Sequence, residues 1–214
     1  MNNKEYLECL FNSNKPLVIY KVKNGFNVYT DLNAKIKLTS KNVKNFFEKT
    51  IYSKNPRNNF FDGYVGFLNY ELLCQLINVK IPKQQSNGFH QSIFYKPETL
   101  IKIRKNIQIL STIKNYKENN KLTPSRKNFF HEKKFKVNLT LAQYTKLFRN
   151  FSQKIREGKT YQIKICQKYR NHSNIDAVKF FWKLMKANSS PESFMIRDNN
   201  YSIISCSPET LINK

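Results

Sequence analysis

Glycine is scarce in this 214-residue chain, with five in all, and tryptophan occurs once, at Trp182. The four cysteines, at positions 9, 74, 166 and 206, are too few and too scattered for a disulfide framework. No Cys-x-x-Cys pair occurs, which argues against a structural zinc site. The three histidines, His90, His131 and His172, stand in polar segments without a partner at metal-ligand spacing. There is no phosphate-binding glycine loop, no Gly-x-Gly-x-x-Gly, no nucleophile elbow and no His-Glu-x-x-His. Long apolar runs are missing too. The greasiest stretch, residues 63–81, is broken by Asn69, Glu71, Gln75 and Asn78, so a membrane span is not expected. The first fifteen residues lack the apolar centre of a signal peptide. A reducing, cytoplasmic setting is the default expectation.

Acidic residues are the other shortage: 14 against 38 basic ones, for a net charge of +24. That excess invites a nucleic-acid partner, because cations release counterions from a phosphate backbone. Its details point elsewhere. Thirty-one of the basic residues are Lys and 7 are Arg, so the side chain that reads guanine bidentately is the rare one. The lysines are spread over every segment beside 28 asparagines, a composition that AT-rich codons produce. Nucleic-acid binding is therefore not expected, and a solvated Lys surface is. A 40% hydrophobic content with 17 Phe and 12 Tyr is enough for a folded core.

Turn signals punctuate the chain. Residues 16–22 and 26–29 are β-rich and flank Asn24-Gly25, which predicts a hairpin with a type I′ turn. Residues 41–50 predict a short helix with Val43, Phe46 and Phe47 on one side. The aromatic, Gly-spaced run 60–70 predicts a buried strand closely approached by other backbone. Residues 98–114 predict two strands around Lys105-Asn106. The polar, basic segment 115–136 is expected to be a surface connection between an N-terminal part, 1–114, and a second part, 137–214.

Thr140 opens a helix whose Leu141, Tyr144, Phe148, Phe151 and Ile155 form one apolar stripe, and Gly158 stands where a left-handed C-cap belongs. Tyr161, Ile163 and Ile165 then alternate with Gln162, Lys164 and Cys166, which predicts a strand with one polar face. A second helix follows Asp176, with Val178, Phe181, Trp182, Leu184 and Met185 on its buried side. A hairpin around residues 198–200 leads into Ser207-Pro208-Glu209. A carboxylate held rigidly after a proline can act as a general acid when its pKa is raised, but the same residue reads as an exposed Glu in a turn.

Four of these segments, in this order, resemble the chorismate-utilising enzymes. They are Gly63-Tyr64-Val65-Gly66-Phe67-Leu68-Asn69-Tyr70-Glu71, the strand Phe94 to Ile101, Tyr161-Gln162-Ile163-Lys164 after its helix, and Ser207-Pro208-Glu209. Asn69 stands where the family usually has Gly. The resemblance implies an α+β fold with two large sheets packed face to face and helices around them. It implies a truncated chain, since the family's downstream "PI(A/K)GT" segment and the glutamates that hold Mg²⁺ have no counterpart here; the metal ligands are expected beyond residue 214. It implies that Glu209 protonates the departing hydroxyl of chorismate, with Gln162, Lys164 and Ser207 in the substrate pocket. The water-activating branches of the family carry a Lys base at the position of Gln162. A carboxamide cannot serve as that base, which favours the branch that takes ammonia from a glutamine amidotransferase partner. Within that branch, aminodeoxychorismate synthase component I and anthranilate synthase component I are the alternatives. Pro191, Glu192 and Ser193 match a segment that lines the tryptophan pocket of regulated anthranilate synthases, but Glu192 replaces its aromatic residue and Ser193 its Met. A carboxylate in an indole pocket is costly to bury, so the aminodeoxychorismate branch is preferred.

Overall fold

The computed structural model describes residue 10 and residues 15–51, 63–79, 92–116, 134–172, 175–188 and 190–207. The chain divides into two compact units, one of residues 1–126 with 177–214 and one of residues 127–176.

The first unit is built on a seven-stranded antiparallel sheet. Its strands are β1 (Leu17–Val22), β2 (Gly25–Leu38), β3 (Val65–Phe67), β4 (Ser92–Ile103), β5 (Ile107–Ser111), β8 (Glu192–Arg197) and β9 (Ser202–Ser207). The order is β3-β4-β2-β1-β8-β9, and β5 pairs with β4 beyond the end of β3. Three hairpins supply most of this order, because their turns join neighbouring strands. The β1–β2 hairpin differs from expectation at its turn. Val22 pairs with Gly25, so the two loop residues are Lys23 and Asn24. Neither has positive φ, which a type I′ turn requires. Gly25 instead opens β2 at φ 145°, where a Cβ would stand 1.9 Å from the Ile103 carbonyl oxygen. Only glycine tolerates both the angle and the approach.

Alternation along β1 sends its side chains to two different cores, as a period of two demands. Leu17 and Ile19 join Val28, Ile101, Ile103 and Met195 on one face. Helix α4 (Ala177–Ala187) covers that face with Val178 and the fully buried Phe181, and Trp182 packs edge-on against Phe26 at 5.3 Å. Val18 joins Tyr29, Leu100, Tyr95 and Ile196 on the other face. A third, smaller cluster seats α1 (Val43–Ile51) through Val43, with Phe46 and Phe47 packed on Phe94.

Strand β2 bends midway. Asp31 has φ 52° and the register with β4 shifts between Leu32 and Ala34, which is a bulge. The bend lets the sheet curl until its far parts meet. Asp198, in the β8–β9 turn, accepts hydrogen bonds from Lys35 Nζ on β2 and from the Tyr95 hydroxyl on β4, each at 2.5 Å. Tyr95 and Tyr201 hydroxyls meet at 2.8 Å. In the sheet, β4 and β8 are separated by β2 and β1, so this network exists only because the sheet is curled.

The aromatic run 60–70 is a strand only over Val65–Phe67; residues 60–62 lie outside the described residues. Tyr70 begins α2 (Tyr70–Leu76), whose N-cap is Asn69 through its side-chain oxygen and the Leu72 N–H. The expected close approach does occur, since a Cβ on Gly66 would stand 2.1 Å from the Ile93 carbonyl oxygen.

In the second unit, α3 (Leu141–Arg156) starts at Thr140 with a full capping box, Thr140 Oγ1 accepting from Gln143 N–H and the Gln143 side chain accepting from Thr140 N–H. Gly158 follows the helix at φ 67°, the left-handed C-cap its position predicts. A two-stranded ladder, β6 (Lys136–Val137) with β7 (Tyr169–Arg170), joins the ends of this unit. The apolar stripe of α3 is largely exposed: Leu141 is 82% exposed, Phe148 55% and Ile155 41%, Tyr144 and Phe151 are half-buried, and no residue of the helix is buried. No helix among the described residues is long and apolar enough to cross a membrane.

Candidate functional site

The Ser-Pro-Glu motif leaves the sheet at the end of β9. Ser207, the last described residue, pairs with Glu192 at the start of β8. Its carbonyl accepts a hydrogen bond from the Ser190 hydroxyl. The Ser190 carbonyl in turn accepts from Lys21 Nζ at 2.8 Å and from the Ser193 hydroxyl at 3.2 Å. Ser190 and Ser193 are both buried, and each hydroxyl is satisfied, which removes the penalty of burying it. The result is a pinned departure point for the chain. Three segments, from β1, from the approach to β8 and from the end of β9, are tied together two residues before Glu209. Pro208 and Glu209 themselves lie outside the described residues.

Of the three residues matched to an effector pocket, only Ser193 is buried; Pro191 and Glu192 are exposed. Lys21 and Ser190 escaped sequence reasoning. Neither carries a local signal, because the contact joins positions 169 apart.

The second unit holds Gln162 and Lys164. The strand expected over 161–165 does not form: residues 162–168 have no regular structure, and Gln162, Lys164 and Tyr161 are exposed. Alternation of polar and apolar residues supplies a strand's faces but not its hydrogen-bond partner, and no neighbouring strand is present among the described residues. The segment is anchored at its two ends. Gly158 ends α3 with N–H bonds from Gly158 to Ile155 and from Lys159 to Lys154. At the other end Lys168 N–H donates to Asn138 Oδ1 at 2.6 Å, and Asn138 N–H donates back to the Lys168 carbonyl at 3.1 Å. Gln162 and Lys164 therefore sit on a tethered loop open to solvent.

Among the described residues no three His, Cys, Asp or Glu side chains converge into a possible metal site.

Comparison with known proteins supplies what the geometry does not. The profile of a family described as chorismate binding enzyme matches residues 8–214. Anthranilate synthase component 1 of Buchnera aphidicola subsp. Pemphigus spyrothecae is 26% identical over 178 residues, which cover 73% of this chain and 33% of that protein. Anthranilate synthase component 1 of Thermococcus kodakarensis is 21% identical over 170 residues, covering 71% of this chain and 35% of that protein. Aminodeoxychorismate synthase component 1 of Escherichia coli (strain K12) is 32% identical over 75 residues, covering 35% of this chain and 17% of that protein. The chain thus spans about a third of the length of its two longer matches.

Proposed function

This chain belongs to the chorismate-binding enzymes, and we propose that it serves chorismate amination, as part of an aminodeoxychorismate synthase component I that takes ammonia from a glutamine amidotransferase partner in the cytoplasm. The observation that carries this reading is Gln162 in the Tyr161-Gln162-Ile163-Lys164 segment after α3. A carboxamide does not titrate in the physiological range, so it cannot take a proton from water. Ammonia needs no such base to attack, because neutral NH3 already carries a nucleophilic lone pair; only ammonium has to lose a proton first.

In this reading Glu209 gives its proton to the hydroxyl that leaves chorismate as the carbon–oxygen bond breaks, so that water departs. Protonation of a leaving oxygen stabilises the transition state more than the ground state, which is what raises kcat. The pinned Ser207 supports the role, since a general acid has to be held within hydrogen-bond reach of the oxygen it protonates. Mg²⁺ belongs to the proposal as well, with ligands supplied from beyond residue 214.

A second reading, anthranilate synthase component I, has its own support in the two longer matches, both to proteins of that name. Against it stands Glu192, exposed at the head of β8 where an effector aromatic is expected. Genetics separates the two. A gene for the polypeptide that carries these residues is expected to restore growth without para-aminobenzoate to a strain lacking aminodeoxychorismate synthase component I. It is not expected to restore growth without tryptophan to a strain lacking anthranilate synthase component I. Rescue of the second strain alone would transfer the assignment to anthranilate synthase.

A further inference from the structure

The β1–β2 and β4–β5 turns lie side by side at one end of the large sheet, because Phe26 pairs with Ile103 and Ile103 with Ile107. Between them is a cavity of about 670 Å³ lined by Asn24, Lys102, Arg104, Lys105, Asn106 and Gln108. Three of these side chains are cationic, three are carboxamides, and none is acidic.

In a chain with 31 lysines, neighbouring lysines alone would mean little. Arg104 is different. Its guanidinium donates to the Phe26 carbonyl at 2.7 Å, to the Ile103 carbonyl at 2.8 Å and to Asn27 Oδ1 at 2.7 Å. A fixed guanidinium has already given up the rotamer freedom that a surface lysine loses on binding, so less is lost when an anion arrives. Gly25 makes this placement possible: a Cβ there would stand 3.3 Å from Arg104 Nη1 and far closer to the Ile103 carbonyl. The volume falls within the range of ordinary small-molecule sites, about 300–1,000 Å³.

We propose that this pocket binds a small anion of two or more charges, its phosphate or carboxylate groups held by Arg104, Lys102 and Lys105 and its polar body by Asn24, Asn106 and Gln108. The proposal is independent of the chorismate assignment, since it uses none of the residues invoked there.

The single tryptophan is a built-in reporter. Trp182 packs edge-on against Phe26, whose carbonyl holds Arg104. The experiment titrates the 214-residue chain with inorganic phosphate and, separately, with citrate, at ionic strength held constant with chloride. Trp182 fluorescence and calorimetry are read together. Saturable binding is expected for at least one probe, and the Lys102→Gln/Lys105→Gln double variant is expected to weaken it by about tenfold or more. That variant leaves the three Arg104 hydrogen bonds untouched, and its melting temperature checks that it is folded. Saturation by phosphate assigns a phosphorylated ligand; saturation by citrate alone assigns a polycarboxylate. Absence of saturation with both probes in both measurements, or equal affinity in the double variant, overturns the proposal.

Discussion

Replacing Tyr95 with Phe tests whether the curl of the large sheet is held by the network at its open end. Tyr95 is 2% exposed, so its ring stays in the core and only the hydroxyl is lost. That hydroxyl donates to Asp198 at 2.5 Å and meets the Tyr201 hydroxyl at 2.8 Å. A hydrogen bond to a charged group contributes about 1.5–3 kcal/mol. Asp198 keeps its bonds from Lys35 and from the Asn199 N–H, which limits the damage. The expected cost is about 2 kcal/mol, a fall of about 1 M in the urea midpoint for an m-value near 2 kcal/mol/M. Asp198→Asn is expected to cost a comparable amount, and the double variant less than the sum, with coupling of at least about 1 kcal/mol. The pH dependence follows from Asp198. Burial alone would raise its pKa, but hydrogen bonds from Lys35, Tyr95 and Asn199 bring it below its ordinary 3.8. Its contribution is therefore present above pH 3.8 and is lost as pH falls through the lower folded value. A Tyr95→Phe protein within about 0.5 kcal/mol of wild type, with additive Asp198→Asn, would refute the network as a stabilising device.

Two glycine substitutions should differ for reasons of space. Gly25→Ala collides with the Ile103 carbonyl and is expected to cost well over 2 kcal/mol or abolish folding, whereas Gly158→Ala meets nothing within 4 Å and should cost about 1 kcal/mol, as read by thermal denaturation. Stability should fall between pH 10 and 12, because burial and the neighbouring Tyr29 raise Tyr20 from 10.0 to about 12. A folded pKa above the unfolded one gives a contribution that is full below pH 10 and lost as pH rises through 12, worth about 3 kcal/mol, and tyrosinate absorbance followed beside circular dichroism checks it. Leu141→Ser with Phe148→Ser should raise the solubility of the 214-residue chain while changing its stability by less than about 0.5 kcal/mol, since both side chains are mostly exposed; a loss above 2 kcal/mol would show the stripe buried in solution.

The hairpins were legible because each announces itself locally. Asn24, Lys105-Asn106 and residues 198–200 interrupt β-rich runs, and the strands form on both sides of each. Helix α3 was legible to the residue, as Thr140 and Gln143 make the capping box their spacing allows. The run 60–70 reads as one strand because its aromatics mask an N-cap, whereas the structure has a strand over Val65–Phe67 and a helix from Tyr70. Asn69 followed by Leu72, Leu73 and Leu76 at helical spacing was the available signal for α2. The strand expected over 161–165 failed for a different reason. Its pattern was sound, but a strand is a relation between two segments, and the pattern cannot show whether a partner is present. The Lys35–Tyr95–Asp198–Tyr201 network was invisible for the same reason, since it joins positions up to 163 apart across a bulge. The site is legible in part. The structure shows how Ser207 is pinned, through Lys21 and Ser190, while Glu209 lies outside the described residues.

The proposed role of Glu209 in chorismate chemistry is tested most directly by Glu209→Gln in the polypeptide that carries these residues, assayed with chorismate, Mg²⁺ and ammonium. The substitution keeps the size and hydrogen bonding of the side chain and removes its transferable proton. General acid catalysis is worth about 10²–10⁴-fold, so kcat is expected to fall by that much while chorismate still binds. A kcat within about threefold of wild type would contradict the account and leave Glu209 a turn residue.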